Sequence, residues 1–133
     1  MLTITATTAS VLTFVYVFLT FKVISLRRTE KVALGDGGLQ KLQAAVRAHG
    51  NFSEYVPLSL GLMALLELDH FSPWILMAVA VALVLGRVLH AVSVLSNPQK
   101  FKLRVLGMQL TFGTLVSLAV FNLLPLLKLA MGS

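Results

Sequence analysis

Four long apolar runs, separated by short clusters of charge, glycine and proline, occupy nearly the whole chain. The first runs from Leu2 to Leu26 and is broken only by Lys22. Arg27-Arg28-Thr29-Glu30-Lys31 and the glycine-rich Gly35-Asp36-Gly37-Gly38 follow it, which together predict a charged loop and a turn. The purely apolar part of the second run, Tyr55 to Leu66, is about a dozen residues and too short to cross ~30 Å of hydrocarbon. A spanning second helix must therefore carry Arg47, Asn51 and Glu54 inside it. Pro57 lies one turn beyond Glu54 and can free a backbone carbonyl. Pro73 and Trp74 open the third run, and Ser96-Asn97-Pro98 ends it. The pattern predicts helices over about 2–26, 39–68, 73–95 and 101–129, within a single domain covering residues 1–133. The fold class is therefore an all-α membrane protein built as a four-transmembrane-helix bundle.

Composition sharpens this picture. Of 133 residues, 57% are hydrophobic and 12% charged, and the mean hydropathy is +0.89. Soluble domains carry roughly 25% charged residues, so most of this surface faces lipid. The first run lacks a preceding basic residue and a small-x-small cleavage site, and reads as a retained helix. There is no cysteine, which removes thiolate metal sites and a cysteine nucleophile. The net charge of +6 comes from residues near helix ends, and no nucleic-acid-reading module is present. Arg27, Arg28, Lys31 and Lys41 follow the first helix and Lys100 and Lys102 follow the third, whereas the middle connection carries Glu67, Asp69 and His70. The positive-inside rule then places both termini outside the cytoplasm.

With that orientation, the polar residues inside the helices fall in one leaflet. Arg47, Asn51 and Glu54 are spaced i, i+4, i+7 on the cytoplasmic half of the second helix, and Arg87 and His90 are spaced i, i+3 on that of the third. Arg104 opens the fourth helix at the same level. Lys22, Lys100 and Lys102 can snorkel to the headgroups. Ionisable groups at depth mark a functional site by default, although Arg87 and Glu54 can also be read as a purely structural pair. Three arginines oppose one glutamate, and an uncompensated buried cation is costly. The missing counter-charge points to a small ligand with more than one anionic group, matched to arginine's fork, and an amine facing Glu54. His49 lies off this face and reads as a packing residue or a supporting hydrogen-bond partner. The spacing of His49, His90 and Glu54 does not call for a metal.

The run Arg47-Ala48-His49-Gly50-Asn51-Phe52-Ser53-Glu54, followed by Pro57, resembles the R-A-H-x-N-x-x-E signature of the MAPEG superfamily, the membrane-associated proteins of eicosanoid and glutathione metabolism. Gly86-Arg87-Val88-Leu89-His90 resembles its G-R-x-x-H, and Arg104 falls where the family places a thiolate-stabilising arginine. The resemblance covers the whole chain. It implies a MAPEG-like homotrimer in a bacterial inner membrane that binds glutathione as co-substrate near the cytoplasmic surface. Arg47, Asn51, Glu54, Arg87 and His90 would bind the peptide, with Arg87 either touching the ligand or bracing Glu54, and Arg104 would be catalytic. The second substrate would be a lipophilic small molecule arriving through the bilayer, and the reaction glutathione S-transfer, with peroxidase activity as a variant. Departures from the pattern are Gln43 and Ala44 for Glu-Arg, Gly50 for a basic residue, Val94 and Met108 where eicosanoid-type members carry tyrosines, and Val105 for a serine. These argue against a prostaglandin or leukotriene synthase. Two other functions stay open: a glutathione-binding scaffold without efficient catalysis, and a small multidrug transporter. The first helix has no acidic residue for proton coupling, which weighs against the transporter.

Overall fold

A computed structural model of the chain describes residues 1–96, 98–130 and 132, with side chains for all of these except 127–129. It consists of four helices, α1 (Thr3–Glu30), α2 (Gln40–Leu68), α3 (Pro73–Leu95) and α4 (Phe101–Ala130), and contains no strand among the described residues. α1, α3 and α4 are long and apolar enough to cross a membrane. α2 carries Arg47 and Glu54 in its first half, and its 29 residues still extend ~43 Å at 1.5 Å per residue.

α1 runs a full turn past its last apolar residue. Arg27 and Arg28 occupy its last turn, where cations face the negative end of the helix dipole. Lys31 closes the helix in the left-handed region at φ 54°, its N–H donating to the Arg27 carbonyl. The Arg27 guanidinium then donates to the Ala33 carbonyl at 2.6 Å, and the Asp36 carboxylate accepts from the Gly38 N–H at 3.0 Å. The connection between α1 and α2 is thus built from its own side chains. It forms the basic end of the bundle together with the α3–α4 connection.

α2 and α3 are the central pair. α1 packs on both of them from one side and α4 from the other, and α1 and α4 do not touch among the described residues. Leu12, Leu19, Phe52, Met63, Leu83 and Leu118 fill the interior between them. The outer surface is also apolar: Phe14 is 78% exposed and Trp74 77%. A water-soluble protein would have to bury such groups, whereas lipid solvates them. On α1 the Thr7 hydroxyl donates to the Thr3 carbonyl and that of Ser10 to the Ala6 carbonyl, four residues back, so these groups are paired within the helix, whereas the buried Thr5 hydroxyl has no partner.

Two contacts fix how the helices sit. α1 has no acidic residue in its first turn and no side-chain cap of its own. Glu67, at the far end of α2, supplies one: its two carboxylate oxygens accept from the N–H groups of Ile4 at 2.7 Å and Thr5 at 2.8 Å. A negative charge on the free N–H groups of a helix start is favourable both as a hydrogen bond and against the dipole. The second contact is the approach of α3 to α4 at Gly86 and Gly107. A Cβ on Gly107 would lie 2.7 Å from the His90 backbone nitrogen and 2.8 Å from the Gly86 carbonyl oxygen. Only a residue without a Cβ permits this spacing, which is how membrane helices commonly come together.

Candidate functional site

Close packing at the glycine pair sets the polar residues of α3 against α4. Arg87, one residue past Gly86, is 1% exposed and His90 2%. Arg87 spreads its donors over three neighbours. Its Nε donates to Thr111 Oγ1 at 3.0 Å, one terminal nitrogen to the Asn51 backbone carbonyl at 3.3 Å, and the other to Met108 Sδ at 3.4 Å. Thr111 relays to the Gly107 carbonyl at 2.8 Å. The guanidinium also lies 5.4 Å from the Tyr55 ring centroid, and Tyr55 is held edge-on by Phe112 at 5.5 Å. Facing an aromatic ring is worth about 2 kcal/mol to a desolvated cation.

The pairing of Arg87 with Glu54 that the sequence allowed does not form among the described residues. Arg87's hydrogen bonds go to uncharged acceptors, and Glu54 is exposed on the surface of the bundle. The cause is rotational. Asn51 marks the azimuth of α2 that faces α3, and Tyr55, four residues on, lies about 40° from it, whereas Glu54 lies about 60° away on the other side. Arg87 therefore reaches the backbone of Asn51 and the face of Tyr55, with its positive charge unneutralised.

Asn51 and His90 meet directly: Asn51 Nδ2 and His90 Nε2 are 3.3 Å apart. The other ring nitrogen of His90, Nδ1, is buried without a hydrogen-bond partner. Buried polar atoms are nearly always paired, and this nitrogen is an exception enclosed within the bundle itself. The structure thus brings Asn51, Arg87 and His90 into one interior network. It leaves Arg47 and Glu54 on α2 and Arg104 on α4 exposed at the same end of the bundle. Three charged side chains on a surface otherwise suited to lipid are expensive unless something covers them. Chemically, the assembly offers arginine forks for anionic groups, one carboxylate for a cation, and an asparagine–histidine pair that both donates and accepts. Among the described residues, no group of acids and histidines is arranged to hold a metal ion.

Tyr55 and Thr111 belong to this network and were not singled out by sequence. Tyr55 could have been found as the i+4 neighbour of Asn51, and Thr111 as the i+7 neighbour of Arg104 and the i+4 neighbour of Gly107. His49 turns towards α1, as its position off the main face suggested. Its Nε2 lies 3.1 Å from Thr20 Oγ1, and its ring packs against Tyr16 with centroids 4.8 Å apart. Beside this contact an apolar groove of about 250 Å³ runs between α1 and α2, lined by Leu12, Tyr16, Ser53 and Pro57 among others. Pro57 sits inside a continuous α2 and has no N–H for the Ser53 carbonyl.

Comparison with known proteins places these residues in context. The sequence profile described as the MAPEG family matches residues 5–124, which include every residue of the site. The inner membrane protein YecN from two strains of Escherichia coli is 35% identical over 103 residues, which is 77% of this chain and 77% of each relative. No solved structure gives a significant match.

Proposed function

Starting from the chain's membership of the MAPEG family, we propose that it binds glutathione at the basic end of the bundle and joins it through its sulfur to lipophilic electrophiles. The observation that carries this reading is the grouping, at one end of an apolar bundle, of three arginines against a single glutamate, with Asn51 and His90 joined at 3.3 Å among them. Glutathione has two carboxylates, one ammonium and a thiol. Arg47 and the Asn51–His90 pair would take the carboxylates, and Glu54 the ammonium. Arg87, enclosed by Thr111, Met108 and Tyr55, would supply a fixed positive field behind them.

Arg104 would face the sulfur. An unperturbed thiol with a pKa of about 8.5 is mostly protonated at neutral pH, and an adjacent cation raises the fraction of thiolate. The thiolate then attacks an electrophilic carbon, forming a C–S bond as the leaving group departs. The α1–α2 groove, lined by Tyr16, Ser53 and Pro57, opens to the bilayer and suits an apolar second substrate. The exposure of Arg47, Glu54 and Arg104 fits a homotrimer in which a neighbouring protomer covers them. The basic connections fit an inner-membrane orientation with the site towards the cytoplasm and both termini on the other side.

A glutathione titration of the detergent-purified protein, read by ultraviolet absorbance of the thiolate, tests this. A saturable thiolate signal that disappears in Arg104→Ala is expected. Absence of binding in folded protein would refute the glutathione assignment. Binding with no thiolate would favour a scaffold, a reading that Val94, Val105 and Met108, standing where other members carry hydroxyl groups, make worth testing.

A further inference from the structure

A second groove lies on the opposite flank of α1, between α1 and α3, away from the arginine cluster. It encloses about 510 Å³ and is lined by Phe14 and Phe18 of α1, by Val88, Val92 and Leu95 of α3 and by Ser96 after it, among others. Its α3 wall repeats at i, i+4 and i+7, a straight stripe along one helix face. From Val88 to Leu95 that stripe rises ~10.5 Å, about two-thirds of the ~15 Å depth of one leaflet. Every residue of the lining except Ser96 is apolar, and Ser96, just beyond the end of α3, stands at the mouth.

The mouth is positively charged. Lys22 is exposed and lies four residues beyond Phe18, one turn nearer the basic end on the same face of α1. Lys100 is also exposed, and its backbone N–H donates to the Ser93 carbonyl at 3.3 Å, which folds the α3–α4 connection back over the end of α3. Lys102 follows it. No acidic residue occurs between Pro73 and Arg104, and the nearest acid on α1 is Glu30, two turns beyond Lys22. A slot of acyl-chain depth that opens beneath unopposed lysines at headgroup level is complementary to a single class of molecule.

We propose that the α1–α3 groove is a binding site for an anionic phospholipid, with one acyl chain lying along Val88, Val92 and Leu95 and the phosphate met by Lys22 and Lys100. The site is independent of the glutathione reading, since it shares no residue with the arginine cluster. Its position against α1 also gives it a role: a chain in this groove backs the helix whose other flank lines the α1–α2 groove.

Native mass spectrometry of protein released from mild detergent tests the assignment. The delipidated protein is mixed in turn with phosphatidylglycerol and with phosphatidylcholine of the same acyl composition. One tightly held phosphatidylglycerol per protomer is expected, with clear preference over phosphatidylcholine. Removing charge by Lys22→Gln and Lys100→Gln should weaken that adduct roughly 5-fold each and on the order of 30-fold together. Val92→Trp, at a position already exposed to lipid, should fill the groove and abolish the adduct while leaving the helical circular dichroism unchanged. Equal retention of the two lipids by the wild-type protein, or an adduct that persists in Val92→Trp, would overturn the proposal. The lipid comparison needs no variant and stands even if a substitution impairs folding.

Discussion

Substituting Gly107 by alanine puts a methyl group where the backbones of α3 and α4 already touch. The new Cβ would sit 2.7 Å from the His90 nitrogen and 2.8 Å from the Gly86 carbonyl oxygen. Both are main-chain atoms inside a helix and cannot swing aside. Reaching an ordinary contact of 3.4 Å requires the helices to part by roughly 0.7 Å. Overpacking of this kind costs about 1–3 kcal/mol. The same movement lengthens the Arg87–Thr111 bond from 3.0 Å to roughly 3.7 Å, past the range of a hydrogen bond, and losing a bond to a charged donor costs about 1.5–3 kcal/mol. Alanine returns about 1 kcal/mol in helix propensity. The net loss is then about 1.5–5 kcal/mol. Gly113→Ala, less than two turns along the same helix, is the control: nothing lies within 4 Å of its added Cβ, so it should be neutral or stabilising by up to about 1 kcal/mol. Equilibrium unfolding in mixed micelles with increasing dodecyl sulfate, followed by circular dichroism, would measure both. Equal unfolding free energies for the two variants would show that the glycine pair does not set the α3–α4 spacing.

Two further outcomes follow from the polar contacts. Arg87→Lys should destabilise the fold by about 2 kcal/mol, because one ammonium cannot serve Thr111, the Asn51 carbonyl and Met108 from a planar fork. Arg104→Lys, at an exposed position, should leave unfolding unchanged, and the same micelle titration distinguishes them. Burial raises the Glu67 pKa at the water-facing end of α2, but the N–H groups of Thr5 and Ile4 outweigh it and hold the carboxyl below its usual 4.5. The stability it adds is therefore complete above pH 4.5 and is lost as the pH falls through the lower folded value. Glu67→Gln should remove about 1 kcal/mol at neutral pH and flatten the acid limb of a stability–pH profile. A limb unchanged by the substitution would exclude Glu67 as its source.

Helices are easy to read in this chain because lipid selects long apolar runs and because proline and glycine punctuate them. The end of α1 was harder for a related reason. Apolar pattern reports where a helix meets lipid, not where its hydrogen bonding stops; Arg27, Arg28 and Glu30 are good helix formers, and the two arginines sit where the dipole favours cations. At the site, the i, i+3 and i, i+4, i+7 spacings grouped Arg87 with His90 and Asn51 with Arg47 and Glu54, and of these the structure brings Asn51 against Arg87 and His90. They could not settle Arg87's partner, because charge suggested Glu54 whereas helix rotation favours Tyr55. Gly107 gave little signal, since glycine is ordinary in membrane helices and acquires its role only from the backbone opposite it.

The division between enclosed and exposed polar groups gives the site its logic. Arg87 is surrounded by groups that stabilise a guanidinium without neutralising it: a hydroxyl, a carbonyl, a thioether and an aromatic face. A carboxylate in their place would have cancelled the field and left only a structural pair. Because the enclosing groups are neutral, the positive charge persists just behind Asn51 and His90, where it favours anions at the bundle surface. Arg47, Glu54 and Arg104 remain exposed and free to meet a ligand or a neighbour. The energetic cost of an unneutralised buried cation is therefore carried by the Gly86–Gly107 contact and the α4 residues it brings within reach. This links the stability of the α3–α4 pair to the electrostatics of the site, so that a substitution loosening one should weaken the other.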